Sequence, residues 1–169
     1  MQGTATHPAM NTPEARSYKW PTMSWRATIT SWALQVLSAV ILGQTLYFKF
    51  TAAPEPVYIF TTLGVEPWGR IAAAVSELVA VVLLLVPRTS VIGAAMSLGI
   101  MLGAIGAHFG PLGIVVKDDD GLLFALAVTV FVSSVIILLL RRAQAALLLQ
   151  IGLGKLGIRP RGSAEGGNG

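Results

Sequence analysis

The chain has 169 residues, 54% of them hydrophobic and only 12% charged, with a formal net charge of +4. A soluble domain carries about 25% charged residues, so this composition excludes an ordinary water-soluble globule. The basic residues sit at block ends and in the tails, never in a run interleaved with aromatics, which argues against nucleic acid and for anionic lipid headgroups as partners. The absence of cysteine removes disulfides, thiol redox chemistry and thiolate metal sites.

Residues 1–27 read as a polar tail containing Pro8, Pro13 and Pro21, with Trp20 and Trp25 where an aromatic belt would meet the membrane surface. Four apolar blocks follow, Thr28 to Phe50, Ile71 to Val86, Ser90 to Phe109 and Gly121 to Leu140. At about 1.5 Å per residue each spans or nearly spans a hydrocarbon core about 30 Å thick, the second with help from Trp68 and Arg70. The first block has a long polar lead and too extended an apolar stretch for a cleaved signal peptide, and Phe50 and Thr51 fit a small-x-small cleavage site poorly, so it is read as retained. The expected fold is all-α: a polytopic membrane protein whose residues 28–140 form an antiparallel four-transmembrane-helix bundle. Residues 141–169 read as a basic interfacial segment, a helix from Ala143 to Ile158 too short to span, and a glycine-rich, disordered end from Gly162 to Gly169.

Pro87 and Arg88 leave room only for a hairpin between the second and third blocks. The two tails and this turn hold nine Lys and Arg, whereas the other two loops hold three, Lys49, Arg70 and Lys117. The positive-inside rule then predicts that both termini are cytoplasmic.

Ionisable residues within hydrocarbon carry the strongest functional signal, because a charge at the bilayer centre costs at least about 2.5 kcal/mol. Glu77 lies seven residues after Arg70, about 10 Å inside the outer edge, and its carboxylate must either hold a proton or find a cation. Lys49 ends the first block on the same side, Gln44 lies about 7.5 Å below it at a depth close to that of Glu77, and His108 closes the third block. Glu77, Lys49, Gln44 and His108 therefore form a candidate ligand-binding set at one depth. An internal Lys–Glu strut that fixes helix register is the competing reading. No metal site is expected, since His7, the other histidine, lies in the tail.

Ala95, Gly99, Gly103 and Ala107 recur every four residues in the third block, a stripe that suits either packing inside the bundle, the favoured reading, or a homo-oligomer interface. Asp118, Asp119 and Asp120 lack the alternation of a calcium loop and are expected to cap the fourth block. No phosphate loop, nucleophile elbow or pair of catalytic carboxylates is present.

The sequence resembles the DoxX-like family of small four-helix membrane proteins. The resemblance rests on Phe48-Lys49-Phe50, on Leu63-Gly64-Val65-Glu66-Pro67-Trp68 leading into the second block, on Ser76-Glu77-Leu78, and on the small-residue third block ending at Ala107-His108, and it covers roughly Ile29 to Leu140. It implies a plasma-membrane bundle acting as an accessory subunit that handles a quinone or other lipid-soluble ligand for a membrane oxidoreductase. The alternatives are an assembly or chaperone-like factor for a client membrane protein, and a structural protein with an internal ion pair. Neither an enzymatic activity nor a cofactor is named by the residues.

Overall fold

A computed structural model describes residues 21–155. The readings of His7, Trp20 and the rest of the first twenty residues, and of the glycine-rich end, lie outside the described residues. Six helices occur among the described residues: α1 (Trp25–Phe50), α2 (Pro54–Thr62), α3 (Trp68–Leu85), α4 (Ser90–Phe109), α5 (Leu122–Leu140) and α6 (Arg142–Lys155). Four of them, α1, α3, α4 and α5, are long and apolar enough to cross a membrane, and no strand occurs among the described residues. The fold is thus the all-helical polytopic bundle that the apolar blocks demand.

α1 begins three residues before the apolar block because Ser24 caps it, its hydroxyl accepting the N–H of Ala27 at 3.3 Å. α3 begins at Trp68, three residues before its apolar block as well. The four long helices close into a ring in which α1 touches α3 and α5, and α4 touches α3 and α5. One end of the ring carries the α3–α4 turn, the start of α1 and the end of α5, and is called the hairpin end. The other, with α2 and the segment between α4 and α5, is the loop end.

Inward positions recur at intervals of seven: Gln35, Leu42 and Lys49 on α1; Arg70, Glu77 and Leu84 on α3; Ala94, Met101 and His108 on α4; Ala127, Ser134 and Arg141 along and just beyond α5. A seven-residue inward repeat is the signature of helices that coil gently about one another, so the seam faces its partners for the whole height of the bundle. Leu42, Leu84, Ala94, Met101, Ala127, Val130 and Ile137 form the apolar core. Without a hydrophobic drive between helices in lipid, close packing must hold them together.

The close approach comes from a glycine outside the expected stripe. A Cβ on Gly93 would stand 2.5 Å from the backbone nitrogen of Leu84 and 2.8 Å from the carbonyl carbon of Leu83, so α3 and α4 touch backbone to backbone beside their turn. The stripe itself departs from the expectation of internal packing: Ala95 and Gly99 are exposed, a Cβ on Gly99 or Gly103 would meet nothing within 4 Å, and Gly103 and Ala107 border a cavity instead of a neighbouring helix. Four-residue spacing keeps residues near one helix face without fixing which way that face points.

α2 is an addition to the four expected spans. Pro54 starts it in the position where a missing N–H costs nothing, Glu55 favours its N-terminus, and Gly64, at φ +73, lets the chain turn away after it. α6 follows α5 directly and makes its main contact with the end of that helix, as a short non-spanning helix does.

Candidate functional site

At the loop end a cavity of about 300 Å³ opens between the long helices, with Pro56, Ile59, Phe60 and Leu63 closing it from the α2 side. Its wall is almost wholly apolar, from Ile41 and Leu42 on α1 to Ile100, Met101 and Ala104 on α4 and Leu123, Leu126 and Ala127 on α5. Four polar side chains interrupt this wall: Thr45, Lys49, Glu77 and His108.

Lys49 and Glu77 meet directly. The ammonium donates to both carboxylate oxygens at 2.7 Å, and the two side chains are only 15% and 4% exposed. Thr45 completes the arrangement by donating its hydroxyl to Glu77 Oε2 at 3.0 Å. In a setting this dry the pair is electrostatically strong, yet desolvation consumes much of that gain, so correct geometry decides whether it stabilises. Two of the three ammonium hydrogens serve Glu77, leaving the third for another acceptor.

Gln44 does not join them. It is exposed on the outer side of α1, and Thr45 stands in its place. The reason is rotation: Thr45 lies four residues from Lys49, close to one full turn, whereas Gln44 lies five residues away and so about 140° round the helix. Depth alone does not place a side chain in a site.

His108 is buried and lines the same cavity. Its Nδ1 lies 2.7 Å from the carbonyl oxygen of Gly113. A carbonyl can only accept, so Nδ1 carries the proton and donates it to Gly113. An edge-on contact with Phe124 at 5.6 Å fixes the ring plane.

Two further groups hold the site from behind. Arg70 is buried; its Nε donates to Glu66 Oε1 at 2.8 Å, its Nη2 reaches the same oxygen at 2.8 Å, and its Nη1 donates to the carbonyl of Lys49. A cation at the last carbonyls of α1 satisfies acceptors the helix cannot, so Arg70 anchors the backbone of the residue whose side chain binds Glu77. The spacing of Glu66 and Arg70, four apart at a helix start, is the sequence signal for this clasp.

Between α4 and α5, Lys117, Asp118, Asp120 and Gly121 all have positive φ, and Asp119 organises the segment. Its carboxylate accepts N–H groups from Val116 at 2.7 Å, Gly121 at 3.0 Å and Leu123 at 2.9 Å, so of the three aspartates it is Asp119 that caps α5. Burial raises its pKa, but the three backbone donors and the neighbouring His108 together outweigh that and hold the carboxyl below its usual range. Lys117 stacks over the ring of Tyr58, 5.4 Å from its centroid, and ties this segment to α2.

Neither a curated protein nor a solved structure matches the chain. The model of the DoxX-like family matches residues 33–137, from the middle of α1 almost to the end of α5, and so takes in Thr45, Lys49, Arg70, Glu77 and His108. The chain belongs to the DoxX-like family.

Proposed function

We propose that the cavity receives the carbonyl-bearing headgroup of a lipid-soluble molecule, a quinone or a close chemical relative, and that the protein serves as an accessory subunit presenting it to a membrane oxidoreductase. The observation that carries this reading is a chamber of about 300 Å³ with an apolar wall interrupted by the Thr45–Glu77–Lys49 cluster and by His108. That volume lies at the lower end of small-molecule sites, about 300–1,000 Å³, and suits a ring-sized headgroup whose tail extends among the helices or lipid. The third Lys49 hydrogen is a donor for a carbonyl oxygen, and His108 Nε2, not engaged by Gly113, is a second hydrogen-bonding atom for the headgroup. Glu77, pinned by Lys49 and Thr45, orients the donor.

The positive-inside asymmetry supports both termini being cytoplasmic and the cavity lying near the outer leaflet, and the resemblance to the family implies a plasma-membrane setting. Gln44 favours a second reading. A polar amide on the outward side of a spanning helix is suited to meet a polar group on a client membrane helix, as an assembly factor would. The exposed Ala95 and Gly99 suit a closely approaching helix, from the oxidoreductase, a client or a second copy.

The test compares wild-type protein with Glu77→Gln, both purified in mild detergent and extracted for bound isoprenoid quinone. Gln keeps the size and one acceptor but releases Lys49 from its charge partner. Retained quinone is expected to fall about tenfold in a folded variant, as loss of a charge-assisted contact implies. Equal retention by two folded proteins would refute the ligand site, and co-purification of a membrane protein without quinone would favour the assembly reading.

A further inference from the structure

The hairpin end carries a second polar centre with an opposite charge balance. Arg141 directly follows α5 and is 4% exposed. Its Nε donates to Ser31 Oγ at 2.7 Å, and its Nη1 donates to the carbonyl of Pro87 and to Gln144 Oε1, each at 3.1 Å. Ser31 Oγ also accepts from Gln35 Nε2 at 2.7 Å. All of these partners are neutral.

Among the described residues the acids lie elsewhere. Glu55, Glu66, Asp118, Asp119 and Asp120 belong to the loop end, and Glu77 is engaged by Lys49. Arg26, Arg88 and Arg142 stand exposed at the hairpin end beside buried Arg141, so this end gathers four guanidinium groups and no carboxylate among the described residues. A buried cation without a counter-charge is expensive, and such groups are normally paired. A guanidinium has five N–H donors, and the three bonds occupy Nε and Nη1, which leaves the two hydrogens of Nη2 without an acceptor among the described residues.

We propose that Arg141, flanked by the exposed arginines, is the anchor of a binding site for the phosphate of one anionic phospholipid in the leaflet at the hairpin end. Placement supplies the class of ligand: α5 is a membrane-spanning length, so the residue after its last turn sits at headgroup depth, where phosphate is the abundant anion. The planar Nη2 edge suits a phosphate oxygen, and Arg26, Arg88 and Arg142 favour a headgroup of net negative charge over a zwitterionic one. Arg141 would thereby link α1, the α3–α4 turn, α5 and the start of α6 to the membrane. This site is separate from the loop-end cavity and stands whether or not that cavity binds a quinone.

The experiment uses the full chain in nanodiscs of phosphatidylcholine with and without phosphatidylglycerol, read by thermal unfolding, and native mass spectrometry of detergent-released protein. Wild type is expected to unfold at a higher temperature with phosphatidylglycerol and to retain one molecule of it. Arg141→Lys keeps the charge and loses the planar fork, and its retention should fall about tenfold, whereas Lys117→Gln, which removes an exposed charge at the loop end, should retain it. Retention by wild type should persist in about 0.5 M salt, because a buried pair is screened far less than surface charges. That measurement decides the matter should the Arg141 variant not fold. Equal retention by Arg141→Lys, or loss of lipid from wild type in high salt, would overturn the proposal. So would equal stabilisation by inorganic phosphate, which would assign the site to a soluble anion. An unfolding temperature indifferent to phosphatidylglycerol but lowered by Glu14→Gln or Glu165→Gln would overturn it too, in favour of a tail carboxylate.

Discussion

At the loop end each buried cation meets a carboxylate, Lys49 with Glu77 at 2.7 Å and Arg70 with Glu66 at 2.8 Å, while at the hairpin end Arg141 meets only a hydroxyl, a carbonyl and an amide. The packing is reversed as well. The paired charges border an open cavity, and the unpaired one lies beside a turn where two backbones touch at Gly93. A neutralised pair can stand next to empty apolar space because it needs no further counter-charge. A lone buried cation must be surrounded by dipoles, which draws the helices in. Polarity in this bundle is thus deployed in two ways, as ion pairs beside an open cavity at one end and as a cation held by neutral dipoles beside a close helix contact at the other.

The sharpest way to break the comparison is to leave a charge at the loop end without its mate. Lys49→Met strands the Glu77 carboxylate and should cost about 3 kcal/mol or more, whereas Lys49→Met combined with Glu77→Gln should cost clearly less than the sum of the two single changes. Thermal unfolding of the three variants in detergent measures the coupling, and additive losses would mean that the side chains do not interact in the folded protein. Next in size is the hairpin end. Gly93→Val places a methyl-bearing carbon against the Leu83–Leu84 backbone and should cost about 1–3 kcal/mol, while Gly99→Val, on the open face of the same helix, should unfold at nearly the wild-type temperature. Similar losses at both glycines would remove the distinction between the two faces of α4.

The smallest effect concerns Asp119. Removing its capping carboxylate by Asp119→Ala should cost about 1 kcal/mol. Because its carboxyl is held below the ordinary value of 3.8, its contribution is fully present above that value and fades as pH falls through the lower, folded pKa. An acid titration of unfolding temperature should therefore show a step below pH 3.8 in wild type that is absent from Asp119→Asn. An identical profile in the two proteins would show that the carboxylate does not titrate against folding.

The four spans were legible in the sequence because hydrocarbon enforces long apolar runs and expels charge to their ends. The pairing of Lys49 with Glu77 was legible for the same reason, since a carboxylate at that depth demands a cation. α2 was not, because nine residues with two prolines, a glutamate and two threonines show neither a spanning run nor a clear apolar face. Thr45 was missed and Gln44 chosen because counting residues along α1 gives height but not direction. Arg70 was read as a loop charge that helps the second block span and Arg141 as a tail charge, although both belong to the seven-residue series that runs through Glu77 and Ser134. Reading that interval first would have turned both arginines inward.

The same interval has a consequence for how the chain can change length. Inserting one residue between Gln35 and Lys49 would rotate everything beyond it by about 100°, swinging the lysine away from its glutamate while leaving the Ser31–Arg141 contact untouched. Two turns added or removed together, one heptad at a time and in all four long helices, would preserve every polar partnership. Drift by single insertions is closed to the interiors of α1, α3, α4 and α5, and length variation is left to the turns, to α2 and to the tails.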